Sequence, residues 1–68
     1  MQREQLIRAL RRFARRRDLA FDVDKARGKG AHYRVRLAGR VSTIQSGDLS
    51  PYQVNRICEQ LGIDAADL

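Results

Sequence analysis

The sequence predicts an α+β fold of the order αβββα, in which a three-stranded antiparallel sheet carries both helices on one face. Three observations lead to this prediction. Apolar residues recur at helical spacing near both ends of the chain, they alternate with polar residues in its middle, and turn-forming residues separate the alternating runs. A chain of 68 residues buries little surface, so both helices must share one sheet face. Residues 1–68 are therefore expected to form a single domain.

The first helix is predicted from residue 2 to about residue 17. Its apolar residues fall at i, i+1, i+4, i+7 and i+8 and so share one face; they are Leu6, Ile7, Leu10, Phe13 and Ala14. Arginines occupy most of the other positions, and those in the last turn complement the negative end of the helix dipole. One face of this helix should be buried and the other strongly basic.

Three runs of alternating residues are predicted as strands, with apolar side chains at positions 19, 21 and 23, at positions 33, 35 and 37, and along residues 40–45. The two-residue turn Ala38-Gly39 joins the last two runs as a hairpin. In that register Gln45 lies opposite His32, and Arg40 falls on the inner face beside the turn. His32, Arg34 and Arg36 then point to the open face of the sheet.

The second helix has clear boundaries. Ser50 is a preferred N-cap residue, and Pro51 suits the first helical position. Gly62 is placed to end the helix in a Schellman motif, with Ile63 folding back onto the last turn. The apolar stripe has the spacing i, i+3, i+4, i+7 and consists of Val54, Ile57, Cys58 and Leu61.

Charge is unevenly distributed along the chain. Residues 1–40 carry 13 basic and 4 acidic side chains, a net charge of +9, whereas residues 41–68 carry only Arg56 against four acidic residues, a net charge of −3. This asymmetry favours a polyanion as partner of the first half. A GC-rich genome, which favours arginine codons, would explain the excess of arginine over lysine but not the clustering.

Several classes of site and location are excluded by composition. A single cysteine, Cys58, rules out an internal disulfide framework and a multi-cysteine zinc site, and its place on the apolar stripe favours a buried role. Asp22 and Asp24 are too few for a two-metal nuclease, so no cofactor is expected. No apolar run approaches the ~18 residues of a membrane span. We expect a cytoplasmic protein without membrane contact.

The most informative residue is His32, the one histidine of the chain. An imidazole, whose reference pKa is about 6.5, can take or give a proton near neutral pH. The predicted phosphate-binding cations around it are Arg27, Lys29, Arg34 and Arg36. This combination suits RNA cleavage in which the 2′-hydroxyl attacks its own phosphodiester. On the residues alone, a surface histidine in a nucleic-acid-binding face is the favoured interpretation.

A glycine loop precedes this histidine. Gly28 and Gly30 would let the backbone approach a phosphate closely. The segment matches neither the P-loop pattern nor the dinucleotide fingerprint, and a plain strand connection explains it equally well. The loop is therefore a candidate phosphate site only together with His32.

Four segments of the chain, in the same order and at fitting spacing, carry a resemblance to a known family; they are Leu6-Ile7-Arg8-Ala9-Leu10, Lys29-Gly30-Ala31-His32-Tyr33, Thr43-Ile44-Gln45 and Ile57-Cys58-Glu59-Gln60-Leu61-Gly62-Ile63. In these segments the chain resembles the HicA-type toxins, the mRNA interferases of bacterial type II toxin–antitoxin pairs. The segments match, in turn, the opening helix of that family, its Lys-Gly-Ser-His motif, its Thr-(Ile/Val)-Pro stretch and its closing helix. Two positions depart from the family pattern, because Ala31 replaces the usual serine and Gln45 the usual proline.

The resemblance implies a fold, an activity and a partner. The fold is similar to a double-stranded-RNA-binding domain, and the activity is metal-independent cleavage of mRNA with His32 as the catalytic residue. The expected partner is a HicB-like antitoxin that covers this histidine. The alternatives from other classes are a non-catalytic RNA-binding module of the same fold, which the departures at Ala31 and Gln45 favour, and an interaction protein whose acidic second half docks a partner.

Overall fold

The elements follow one another in the predicted order, helix, three strands, helix. A computed structural model describes residues 1–25 and 32–68. Its elements are helix α1 (Arg3–Arg17), strands β1 (Phe21–Asp24), β2 (Tyr33–Leu37) and β3 (Arg40–Ile44), helix α2 (Pro51–Gln60) and a terminal 3₁₀ turn (Ala65–Asp67). The strands form one antiparallel sheet in the order β1-β2-β3. The predicted fold class is confirmed.

Both helices pack on the same face of this sheet. The buried cluster combines the predicted stripes of α1 and α2 with the inward residues of the strands; from the strands it takes Val35, Leu37 and Ile44. All five apolar residues predicted for the inner face of α1 are buried. The outward residues of the strands are exposed except for half-buried Asp24, so the opposite face of the sheet is open.

The hairpin has the register that the two-residue turn predicts. Leu37 lies opposite Arg40, and Tyr33 lies opposite Ile44. Ala38 and Gly39 have φ angles of 50° and 87°, the two positive values that a type I′ turn requires. The Ala38 amide also donates to the Ala20 carbonyl at 2.9 Å, which ties the turn to the start of β1.

The prediction was wrong at Leu19, which is not an inward residue of the first strand. Helix α1 ends with Asp18 in the left-handed conformation at φ 55°, and the Leu19 amide then donates to the Ala14 carbonyl at 2.8 Å. This is a Schellman ending without glycine. Leu19 therefore belongs to the end of the helix and is 37% exposed, and β1 begins two residues later.

Helix α2 has the predicted ends. Ser50 and Gln53 form a capping box, in which the Ser50 hydroxyl accepts from the Gln53 amide at 3.2 Å. At the other end Gly62 has a φ of 76°, its amide donates to the Glu59 carbonyl, and the Ile63 amide donates to the Cys58 carbonyl at 2.9 Å. These two bonds define the Schellman motif.

The inward-facing Arg40 avoids the core by running along the end of α2. Its Nε donates to the Gln60 carbonyl at 3.1 Å, and its side chain covers Gly62. The residue stays exposed, so the charge remains in water while the stem of the side chain packs against the helix. Beside it, buried Ser42 donates its hydroxyl to Gln60 Oε1.

Candidate nucleic-acid interface

His32 lies immediately before β2 and borders a groove between the sheet and α2. The groove has a volume of about 350 Å³ and runs between the β3 side of the sheet and the exposed side of the helix. Two buried apolar residues, Leu49 and Ile57, form its floor. Among the residues that the structure describes, its polar lining is formed by His32, Thr43, Gln45, Tyr52, Gln53, Arg56 and Gln60. We call this feature the His32 groove.

Three separate parts of the chain build the His32 groove. The hairpin register brings Gln45 beside His32, one step beyond the last paired residues of the two strands. The short connection from β3 to α2 then sets the first turn of the helix next to them. Leu49 is held in the floor because its amide donates to the Met1 carbonyl at 2.7 Å. The floor of the groove is thus held in part by the first residue of the sequence.

Two glutamines of the groove have a fixed orientation. Gln53 Oε1 accepts from the Ser50 amide at 2.8 Å as part of the capping box. Gln60 Oε1 accepts from the Ser42 hydroxyl. Because the oxygen of each side-chain amide is engaged by the protein, the nitrogen of each is the atom that remains for another molecule.

The part of the site that lies on α2 was not predicted from the sequence. Arg56 is the one basic residue of positions 41–68, and the fold brings it into the groove that His32 borders. Tyr52, one turn earlier on the helix, is 67% exposed. The spacing i, i+4 predicts that these two side chains share a helix face. Nothing in the sequence shows that this face meets His32.

The open face of the sheet carries Arg34 and Arg36 as predicted, and both are exposed. Each has a carboxylate on the residue directly opposite in β1, because Asp24 pairs with Arg34 and Asp22 with Arg36. Opposite charges at facing positions stabilise the strand pair and lower the positive potential of the face. The other predicted phosphate-binding residues, Arg27, Gly28, Lys29 and Gly30, lie outside the described residues.

The arginines of α1 fall into two groups. Three lie over aromatic rings: Arg3 over Tyr33 at 3.6 Å from the ring centroid, Arg17 over Phe13 at 4.8 Å, and Arg11 over Phe21 at 5.7 Å. These contacts give them a role in packing. The remaining four are exposed and form no ion pair within the described residues; they are Arg8, Arg12, Arg15 and Arg16.

These four residues form the α1 arginine row. Their spacing, i, i+4, i+7 and i+8, aligns them on one side of the helix, over a rise of about 12 Å. α1 packs beside β1 whereas α2 packs beside β3. The α1 arginine row and the His32 groove therefore lie towards opposite edges of the sheet.

The remaining reactive side chain, Cys58, is buried in the core. Burial raises the pKa of its thiol, and the nearby Asp64 carboxylate raises it further. A raised pKa keeps the thiol protonated, and a protonated thiol is a poor nucleophile. Within residues 1–25 and 32–68, no three side chains of the metal-binding types lie close enough together to share an ion. In the same residues no helix combines the length and apolar character that crossing a bilayer requires.

Comparison with known proteins adds no relative to this description. No protein-family model matches the chain, and neither does any curated protein or solved structure. A function is therefore proposed from two features, the His32 groove and the α1 arginine row.

Proposed function

We propose that this chain is an endoribonuclease toxin of the HicA type, which cleaves mRNA with His32 as its proton-transfer residue. One observation carries the proposal: the one histidine of the chain and the isolated cation Arg56 line the same groove. An imidazole beside a guanidinium is a suitable pair for cleaving a phosphodiester, because one moves a proton and the other stabilises negative charge.

The proposed reaction needs the RNA, groups of the protein and water. The 2′-oxygen forms a bond to the adjacent phosphorus while the bond from phosphorus to the 5′-oxygen of the next nucleotide breaks. A 2′,3′-cyclic phosphate and a 5′-hydroxyl result. His32 either takes the proton of the 2′-hydroxyl or gives one to the leaving oxygen, and water supplies or takes the other proton. Arg56 stabilises the charge that develops on the phosphate oxygens.

The first experiment compares the wild type with His32→Ala on a long unstructured RNA in the presence of a chelator. We expect cleavage by the wild type and none by the variant, with 2′,3′-cyclic phosphate ends on the products. His32 is exposed, so the variant should unfold at the same urea concentration as the parent. Equal cleavage by the two proteins would remove His32 from the mechanism.

A matched pair of arginine variants tests the second residue. Arg56→Gln removes a cation from the groove, whereas Arg36→Gln removes one that faces Asp22 on the open face. We expect Arg56→Gln to lower kcat by about 10²-fold or more, as loss of a group that stabilises the transition state does. Arg36→Gln should change kcat only slightly. The opposite ranking would place the reaction on the open face.

A second candidate function is a non-catalytic RNA-binding module. The observation that favours it is the α1 arginine row, an exposed basic surface towards the edge of the sheet away from His32. A row of cations along a helix binds a phosphate backbone without need of any catalytic group. Salt-sensitive binding of RNA by the wild type, without cleavage, would establish this function in place of the first.

The toxin proposal also includes a protein partner, an acidic antitoxin of the HicB type that covers the His32 groove, and a cytoplasmic location. The net charge of +6 supports an acidic partner, because complementary charge speeds association. Addition of a candidate antitoxin should stop cleavage and shield Tyr52, an exposed aromatic ring of the groove, from solvent quenchers of fluorescence. Loss of activity without such shielding would place the partner elsewhere on the surface.

A further inference from the structure

We propose that the His32 groove is also a nucleobase pocket, which holds a guanine or uracil base next to the phosphate that is cleaved. The inference rests on the proposed ribonuclease function for the position of the base, but the pocket itself is argued from side chains of α2. Three features carry it: the exposed ring of Tyr52, the hydrogen-bond donors that line the groove, and its apolar floor.

Tyr52 is placed to stack on a base. It is 67% exposed, far more than the other tyrosine, Tyr33, which is half-buried and has the Arg3 guanidinium against its ring. Tyr33 therefore packs against the core, whereas the ring of Tyr52 lies exposed at the rim of the groove. Stacking on an exposed aromatic ring is a general means by which proteins hold single-stranded RNA.

Three polar side chains on the α2 side of the groove, Gln53, Arg56 and Gln60, present hydrogen-bond donors. The oxygen atoms of Gln53 and Gln60 accept from Ser50 and Ser42. Within the described parts of the chain, neither side-chain amide nitrogen has an acceptor. Arg56, between them on the helix, offers only donors.

A wall of donors selects bases that present acceptors. Guanine offers O6 and N7 on one edge, and uracil offers two carbonyl oxygens. Adenine presents an amino group beside its N7, so one of its donors would face a donor of the protein. The pocket should therefore prefer guanine or uracil to adenine.

The shape of the groove suits a flat ring with polar edges. Leu49 and Ile57 give it an apolar floor, and its volume of about 350 Å³ lies within the range of roughly 300–1,000 Å³ that ligand pockets occupy. His32 borders the same space from the sheet side. A base seated on this floor would thus have its own phosphate near the imidazole.

The test measures binding in the absence of cleavage. Fluorescently labelled tetranucleotides with 2′-O-methyl groups, which cannot form the cyclic phosphate, are titrated with wild type, Tyr52→Ala, Tyr52→Phe and Asn55→Ala. Tyr52→Phe keeps the ring, and Asn55 lies on α2 but does not line the groove. Fluorescence anisotropy gives the Kd of each pair.

We expect Tyr52→Ala to bind about 5-fold to 100-fold more weakly than the wild type, and the two controls to bind within about 2-fold of it. Oligo(U) and oligo(G) should bind at least about 5-fold more tightly than oligo(A). Equal binding by Tyr52→Ala and the wild type, absence of measurable binding, or equal Kd values for the bases would overturn the pocket.

Failure of the pocket is distinguishable from failure of the proposed function. If the wild type cleaves long RNA through His32 while Tyr52→Ala binds RNA as tightly as the parent, the ribonuclease function is supported and the nucleobase pocket is refuted. If the wild type binds RNA through Tyr52 but does not cut it, the pocket is a binding site of a non-catalytic module. The proposal that the bound base lies next to a cleaved phosphate is then refuted.

Discussion

Within residues 1–25 and 32–68, two residues other than glycine have left-handed backbone conformations: Asp18, at the end of α1, and Ala38, in the hairpin turn. This conformation costs a residue with a Cβ atom about 1 kcal/mol of conformational free energy. The cost is lower for asparagine, because its short side-chain amide forms hydrogen bonds with the nearby backbone. Ala38 stands in the type I′ turn that sets the hairpin register. The hairpin register therefore forms although alanine disfavours a positive φ. A residue that tolerates this φ better should stabilise the whole sheet.

We predict that Ala38→Asn raises the free energy of unfolding by about 0.5–1 kcal/mol, because Asn-Gly is the preferred pair for this turn. Urea unfolding followed by circular dichroism gives the change from the midpoint. The matched variant Ala38→Val places a branched side chain at a positive φ and should lose at least about 1 kcal/mol. A more stable valine variant would show that the turn adopts another geometry.

Cys58 gives the protein a dependence of stability on alkaline pH. Its thiol pKa is raised by burial and by Asp64, so the native state holds this proton more tightly than the unfolded chain does. The stabilisation is complete below the ordinary thiol pKa of about 8.5 and is lost as the pH rises through the higher native value. Below that pKa, a further decrease in pH should not change the contribution of Cys58 to the free energy of unfolding.

The corresponding variant is Cys58→Ala. It should be less stable than the parent at every pH, because a buried side chain is shortened, but it should lose less of its stability between about pH 8 and pH 10. Urea midpoints at the two pH values test this. An identical decline in both proteins would show that other groups cause the alkaline loss.

At the scale of elements, the end of α2 and the tip of the hairpin form one unit. Gly62 has a φ of 76°, and a Cβ atom there would lie 2.8 Å from Arg40 Cδ. The Arg40 guanidinium in turn donates to the Gln60 carbonyl, and the Gln60 side chain accepts from Ser42. Three long-range contacts thus set the helix against β3 and with it the wall of the groove.

We predict that Gly62→Ala lowers the free energy of unfolding by about 1–2 kcal/mol. The Arg40 side chain can move away, so most of the loss should come from the positive φ. The double variant Arg40→Ala/Gly62→Ala separates the two causes in a thermal or urea unfolding series. If replacing Arg40 restores the full stability, the clash and not the backbone is the cause.

The elements differ in how far they could be predicted. Both helix faces and the hairpin register follow from local periodicity and a two-residue turn, and the structure confirms them. Leu19 was misplaced because α1 ends at Asp18, a residue that does not mark a helix end as glycine does. The role of Arg56 was missed because its proximity to His32 depends on how α2 packs, which no local pattern encodes.

At the scale of the whole molecule, the surface offers two sites of different character. Among the described residues, the His32 groove is concave and carries one arginine, Arg56, whereas the α1 arginine row is convex and carries four. Contacts between RNA and the α1 arginine row would release counterions and make the affinity depend on salt. Contacts in the His32 groove would depend instead on shape and hydrogen bonds.

Replacing Arg8, Arg12 and Arg15 by glutamine should therefore lower the salt dependence of RNA binding. The slope of log Kd against log salt should decrease by about 2, since each contact with a single strand contributes about 0.7. Arg36→Gln is the control, because that residue faces Asp22 and should change the slope by less. An unchanged slope in the triple variant would show that the row stays in solvent when RNA binds.

For the proposed RNA-binding function, the placement of the two sites towards opposite edges of the sheet has a consequence for the length of RNA that would bind well. The molecule measures 31 × 24 × 17 Å, so an oligonucleotide shorter than its width can occupy one site at a time. A longer strand that passes around the protein engages both, and its second contact forms at the high effective concentration that the first provides. Affinity should then rise abruptly above a threshold length, which would direct the protein to long transcripts and away from their short fragments.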